Sequence, residues 1–277
     1  MNFKEIKALI SLLDDEDKEV QNHVENKILS LGDVIIPFLE NEWEINFDPN
    51  VQKRIEDLIH NLQIKSLYTR LIEWKENEQD NLLKGVWLVA TYQYPDLDFR
   101  KVKKDLDKIY YEVWLNHRAY SSPYDQTKNL NMVIFDKLKF NSNTQNMYAP
   151  GNSMINTVLE TRRGNPISLC IIYMLIAQRL KMPIFGVNLP NLFVLTYKSE
   201  ETQFYINAFN KGVVFTKNDI DSYITQLKLD PDERFYQPCS NLDIVQRVIR
   251  NLILAFEKLG ESHKVEEIKS ILHVLEE

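Results

Sequence analysis

Pro166 is followed by Ile167-Ser168-Leu169-Cys170-Ile171-Ile172-Tyr173-Met174-Leu175-Ile176, a stretch without a charged side chain. Proline favours the first turn of a helix, where its missing N–H costs nothing. The run from Ile167 to Leu180 therefore reads as a helix that is apolar nearly all round, and such a helix has to be buried. A chain of 277 residues with 44% hydrophobic content can supply the elements that wrap it. Short β-rich runs come next: Ile184–Val187, Leu192–Tyr197, Phe204–Ile206 and Val213–Phe215, with Lys198–Thr202 as a hairpin loop. The expected fold class is α+β and mostly helical, a central buried helix backed by a small antiparallel sheet.

The N-terminal third is helical and echoes itself. Ile6, Leu9, Ile10 and Leu13 fall at helical spacing, and a second helix from about Lys18 carries Val20, Val24, Ile28 and Leu31 on one face, with Gly32 as its C-cap. Asp17-Lys18-Glu19-Val20-Gln21 is echoed by Asp48-Pro49-Asn50-Val51-Gln52 at a spacing of 31, and Val24 and Ile28 by Ile55 and Ile59. In both copies an Asp precedes the helix, where its carboxylate caps free amides. This opening resembles HEAT repeats; the plain alternative is an ordinary four-helix segment whose echo is coincidental. Stacked repeats need at least about three units to bury their faces, so residues 1–62 are expected to pack on the adjoining chain and to act as a scaffold or docking surface.

Helices continue through Leu67-Leu71-Trp74, Leu82-Val86-Val89 and Leu106-Ile109-Val113, broken at Tyr92–Asp98, and residues 141–152 read as an Asn-rich polar loop. Asp243–Glu277 returns to helices, with Val245, Val248, Leu252 and Phe256 on one face and, after Gly260, Val265, Ile268, Ile271, Leu272 and Leu275 on another.

Charge and composition narrow the function classes. The formal net charge is −7, and the one basic run, Lys101, Lys103, Lys104 and Lys108, is interleaved with Asp105 and Asp107. That pattern is a solvated helix face, so neither nucleic acid nor an anionic membrane is an expected partner. No apolar run reaches the ~18 residues of a span, and Met1–Glu5 lacks the apolar block of a signal peptide, which points to the cytoplasm. Cys170 and Cys239 are too few for a disulfide framework or a cysteine-built zinc site. His23, His60, His117, His263 and His273 read as helical, without metal-ligand spacing, so no metal or cofactor is expected.

The segment Asn152-Ser153-Met154-Ile155-Asn156-Thr157 through Glu160-Thr161-Arg162-Arg163-Gly164-Asn165-Pro166-Ile167-Ser168-Leu169, continuing to Gly186-Val187-Asn188-Leu189-Pro190, resembles the core signature of the SirB-type transglutaminase-like family. Tyr92–Leu97, Phe135-x-x-Leu138-x-Phe140 and Arg247–Leu252 fit it as well, so the resemblance covers residues 82–277. It implies a transglutaminase or papain-like core over 63–235 and a TPR-like helical pair over 236–277 packed on that core. The chemistry of this superfamily uses a thiol at the helix N-terminus, a His on the next strand as base and an Asp or Asn that orients the imidazole.

Carried over residue by residue, those places are empty. The thiol position falls on Pro166 or, with a two-residue shift, on Ser168. The family's Pro-Gly-His-Phe is Pro190-Asn191-Leu192-Phe193, and its Asp-Pro-Phe-Asn is Asn207-Ala208-Phe209-Asn210. Leu192 and Asn207 are expected to face the N-terminal turn of the helix from neighbouring strands, and Leu192 takes no proton at any pH. The resemblance thus implies a non-catalytic protein that binds a protein or peptide partner, with Arg162, Arg163, Gly164, Asn165, Ser168, Asn191, Asn207 and Asn210 as binding candidates. Arg162 and Arg163 either hold a carboxylate in a cleft or tie their loop to backbone carbonyls. The rival reading is a thiol or serine hydrolase or acyltransferase that uses Cys170 or Ser168 with an unrecognised base. For Cys170 the plain alternative is a small buried hydrophobe, and for Ser168 a helix cap.

Overall fold

The computed structural model describes residues 3–15, 17–117 and 120–277. They form two compact units, 1–72 and 73–277.

The first unit holds α1 (Phe3–Ser11), α2 (Lys18–Leu29), α3 (Ile36–Ile45) and most of α4 (Pro49–Asn77). The echoed aspartates both cap: Asp17 Oδ1 accepts from Glu19 N at 2.8 Å and Asp48 Oδ1 from Asn50 N at 2.7 Å. Ile10, Leu13, Val24, Ile28, Leu39, Ile55 and Leu58 are buried in one core, with Val20 and Ile59 partly buried against it. Each such side chain contributes about 1.5–3 kcal/mol on burial. Helix α2 ends at Leu29 and not at Gly32. Ser30 causes the early stop: its hydroxyl turns back to Lys27 O at 2.6 Å, and Leu31 N bonds Ile28 O at 3.0 Å in a tighter turn. Gly32, at φ +71, then starts a 3-10 turn.

The second unit contains α5 (Leu82–Thr91), α6 (Phe99–Trp114), α7 (Pro123–Asn131), β1 (Asn141–Ser142), α8 (Ile155–Thr161), β2 (Arg163–Gly164), α9 (Pro166–Arg179), β3 (Ile184–Leu189), β4 (Leu192–Lys198), β5 (Gln203–Asn207), β6 (Val213–Phe215), α10 (Lys217–Gln226), α11 (Asn241–Leu259) and α12 (Ser262–Glu276). His117 lies just past the end of α6 and is not helical, a departure from the sequence expectation. The Asn-rich loop is also more structured than expected. Asn141 and Ser142 pair in parallel with Arg163 and Gly164, and the Asn152 amide donates to Asn146 O and Met147 O. Backbone groups beside a buried helix need partners, and this loop supplies them internally.

Helix α9 is the buried centre. Ile167, Leu169, Cys170, Ile171, Ile172, Tyr173 and Ile176 are all buried, and β3, β4, α6, α8 and α11 pack around it. The sheet runs β3-β4-β5-β6 with every neighbour antiparallel. Alternation along β4 puts Leu192, Val194 and Thr196 on one face and Phe193, Leu195 and Tyr197 on the other. Val187, Leu189, Val194 and Tyr205 pack with Ile220 and Ile224 of α10 and with Tyr236. Among the described residues that cluster contains nothing from α9. Helix α11 buries Val245, Val248, Leu252 and Phe256, packs on α5 and α9 and turns at Gly260, φ +75, into α12. No helix among the described residues is long and apolar enough to cross a membrane.

Candidate functional site

The start of α9 is assembled from its neighbours. Arg162 adopts a left-handed conformation, φ 59, at the end of α8 and so directs the chain into β2. Gly164 passes against the first turn of α9, where a Cβ would collide with Ser168 Oγ and lie 3.1 Å from Val158 Cγ1. Asn165 then caps the helix. Its Oδ1 accepts from Ser168 N at 3.0 Å, while Asn165 N donates to Ser168 Oγ at 3.1 Å, a reciprocal box. Asn165 Nδ2 donates to Ser153 Oγ at 2.8 Å. Asn165, Ser153 and Ser168 are buried and occupied with one another.

A cavity of about 340 Å³ opens over this turn. Asn165, Pro166 and Ile167 form its floor, Asn191 and Phe193 one wall, Met147 and Tyr148 a second, and Arg247, Asn251, Leu254 and Ala255 of α11 the third. Asn191 reaches it by a left-handed turn between β3 and β4, φ 58. Among the described residues the lining carries no acid, histidine or cysteine. Those three side-chain types are the usual transition-metal ligands and general bases.

Its charge comes from Arg247. Burial, and then the nearby Arg250, lower the pKa of this guanidinium from its ordinary value, which leaves it charged at any physiological pH. Nη1 donates to Asn188 Oδ1 at 3.2 Å. Among the described residues it has no carboxylate partner. Asp243, four residues earlier on α11, turns its Oδ2 to Ser240, accepting from its N at 2.9 Å and its Oγ at 2.6 Å. In the sequence Arg247 stands out only as part of the Arg247–Leu252 motif. The available signal was Arg247 and Asn251 at i,i+4 spacing, one polar ledge on a helix that is otherwise apolar on its inner side.

The remaining candidates lie elsewhere. Leu192 and Asn207 share a separate cavity of about 230 Å³ with Leu189, Val213, Phe215, Ile220 and Tyr223. They face α10, whereas Phe193 faces the α9 cleft, so the sequence expectation that Leu192 and Asn207 face the first turn of α9 is corrected. The reason is strand parity: adjacent residues of β4 point to opposite faces. Asn207 Oδ1 accepts from Asn210 N at 3.1 Å, and Asn210 itself is exposed. Cys170 is fully buried, with Sγ 3.6 Å from Phe193 O, and burial pushes its thiol far above the ordinary range. Cys239 is pushed up to about 12, mainly by burial. Arg162 stacks on Phe140, its Cζ 4.6 Å from the ring centroid, and lines a third cavity with Lys101, Asp105, Lys108, Asn156 and Glu160. The exposed Arg163 contributes its backbone to β2.

Residues 100–250 match the transglutaminase-like superfamily. A UPF0162 protein of Xylella fastidiosa is 29% identical over 184 residues, 64% of this chain and 65% of that protein. The match thus spans just under two thirds of that relative's length. A UPF0162 protein of Pasteurella multocida is 32% identical over 78 residues, 28% of this chain and 30% of its own. F-box only protein 21 of Mus musculus is 28% identical over 151 residues, 52% of this chain but 23% of that protein. No solved structure matches the chain.

Proposed function

The chain belongs to the transglutaminase-like superfamily, and from that premise we propose that it is a non-catalytic, SirB-type member that binds a protein or peptide segment in the cleft at the start of α9. On this reading α9 and the four-stranded sheet are a papain-like core whose chemistry has been lost. Residues 1–62 are its HEAT-like flank and 236–277 its TPR-like flank, and the protein works in the cytoplasm.

One observation carries the reading: the cavity over the helix N-terminus has Pro166 in its floor and no cysteine, histidine or carboxylate among the described residues of its lining. Acyl-transfer chemistry needs a nucleophile and a base within hydrogen-bond reach of one another. Two further facts support it. Ser168 has its hydroxyl engaged in the cap. The buried thiol of Cys170 resists ionisation, and the thiolate is the reactive form. The similarity to under a quarter of mouse F-box only protein 21 suits a module that also occurs inside a longer chain.

The test has two arms. Full-length protein is assayed for amidase and esterase turnover at pH 5–9, roughly the span over which His and Cys titrate. The expected result is no turnover above background, and turnover that vanishes in Cys170→Ala or Ser168→Ala would make the protein a hydrolase. Peptides selected on the full-length protein from a display library are then measured against Leu254→Trp, which fills the cleft from a partly exposed position. Weaker binding is expected, and unchanged binding would move the peptide site elsewhere.

A further inference from the structure

We infer that the α9 cleft recognises a carboxylate borne on an apolar segment, with Arg247 as its anchor. This rests on the reading of the cleft as a peptide site and names what the peptide must present. A half-buried cation is costly to leave without a counter-ion. Arg247 is in that position: one hydrogen bond to the neutral Asn188, no ion pair among the described residues, and a neighbouring Asp243 held by Ser240. Its other N–H groups meet no acceptor among the described residues, and a planar guanidinium fork matches a carboxylate.

The surroundings specify the ligand further. Asn191 and Asn251 line the same cavity with side-chain amides that make no hydrogen bond among the described residues, so they can donate beside Arg247. Lys258 Nζ stands 5.7 Å from the ring centroid of Tyr148, adding positive potential near the cleft. Ile167, Phe193 and Leu254 give an apolar wall next to the charge. The adjoining cavity of about 590 Å³ shares Arg247 but is also lined by Glu233 and Asp243, which disfavour an anion there. Of these two cavities, the one on the α9 side has no acid among the described residues of its lining.

Three synthetic peptides test this on the full chain: acetyl-Ala-Leu-Phe as the free acid, the same peptide as a carboxamide, and acetyl-Ala-Leu-Glu carboxamide. The first carries a terminal carboxylate, the third a side-chain one. At least one acid should bind the wild type about tenfold or more tighter than the uncharged peptide, the size expected of a charge-assisted pair. Arg247→Met should abolish the preference, and Arg247→Lys, which keeps the charge and loses the fork, should retain part of it. Thermal melts establish that both variants are folded. Equal binding of acid and carboxamide would overturn the carboxylate inference and leave the peptide reading standing. Binding of none of the three, while display-selected peptides still bind the cleft, would likewise overturn the inference alone. Failure of every peptide would remove both.

Discussion

Asn165 and Ser168 cap each other across the first turn of α9, Oδ1 to N at 3.0 Å and N to Oγ at 3.1 Å, and both are buried. The first turn of α9 is therefore a structural joint. Ser168→Ala leaves the buried Asn165 N without its acceptor and should cost about 1–2 kcal/mol. Asn165→Ala loses the cap on Ser168 N and the bond to Ser153 together, and should cost more. Urea midpoints of the two variants check the order. A larger loss for Ser168→Ala would mean that the serine does something beyond capping.

Cys170 gives a pH dependence with a defined sign. Its folded-state pKa lies above the ordinary value of 9.0, because burial penalises the thiolate. The stabilisation is fully present below about pH 9 and is lost as pH rises toward the folded value, at up to ~1.4 kcal/mol per pH unit for one group. Cys239, raised to about 12, acts in the same direction. Stability measured by urea unfolding should thus decline from pH 9 to 10.5, and Cys170→Ala should flatten that decline even while lowering stability at pH 8. Equal slopes would show that the thiol is not buried as described.

Much of the fold was legible because periodicity and length are local. Pro166, the apolar run after it and the four β-rich segments come within a few residues of α9 and β3–β6. The β1–β2 pair was not, since two residues on each side carry no pattern of their own and join through distant parts of the chain. The direction of Leu192 turned on strand parity after the left-handed turn at Asn191, and a one-residue difference there exchanges the faces of a strand. Arg247 was hidden for a related reason. An arginine on an amphipathic helix looks solvated until the fold shows that its neighbouring acid is engaged elsewhere.

Gly164 is a second constraint on the cleft floor. A methyl group there would meet Ser168 Oγ head-on, with Val158 Cγ1 at 3.1 Å and Leu169 Cγ at 3.3 Å. None of these is the free end of a flexible side chain, so Gly164→Ala forces β2 away from α9. The expected cost is about 1–3 kcal/mol, as for overpacking elsewhere in a core. Gly260→Ala is the contrast: nothing lies within 4 Å of its Cβ, and only the φ of +75 opposes it. Calorimetric melts of the two variants separate steric from backbone strain. The cap box should weaken in Gly164→Ala alone, read as faster amide exchange at Ser168.

On the proposed non-catalytic reading, Leu192→His tests whether supplying a base is enough to give the cleft hydrolytic chemistry. The position lies among Leu189, Ile220 and Tyr223 on the sheet face that meets α10, and it shares its cavity with Asn207. An imidazole placed there has Asn207 as a neighbour, an orienting group of the kind papain-like enzymes use. Among the described residues its cavity holds no serine or cysteine, Ser168 being buried in its cap and Cys170 in the core. The variant should show no esterase activity above that of the wild type. It should also be less stable by about 1–3 kcal/mol, the cost of putting a polar ring where an apolar side chain packed. Burst kinetics with an activated ester and a thermal melt, run on the same preparation, measure both. A burst in Leu192→His that is lost on adding Ser168→Ala would show that serine and imidazole meet after all, which the observed strand parity forbids.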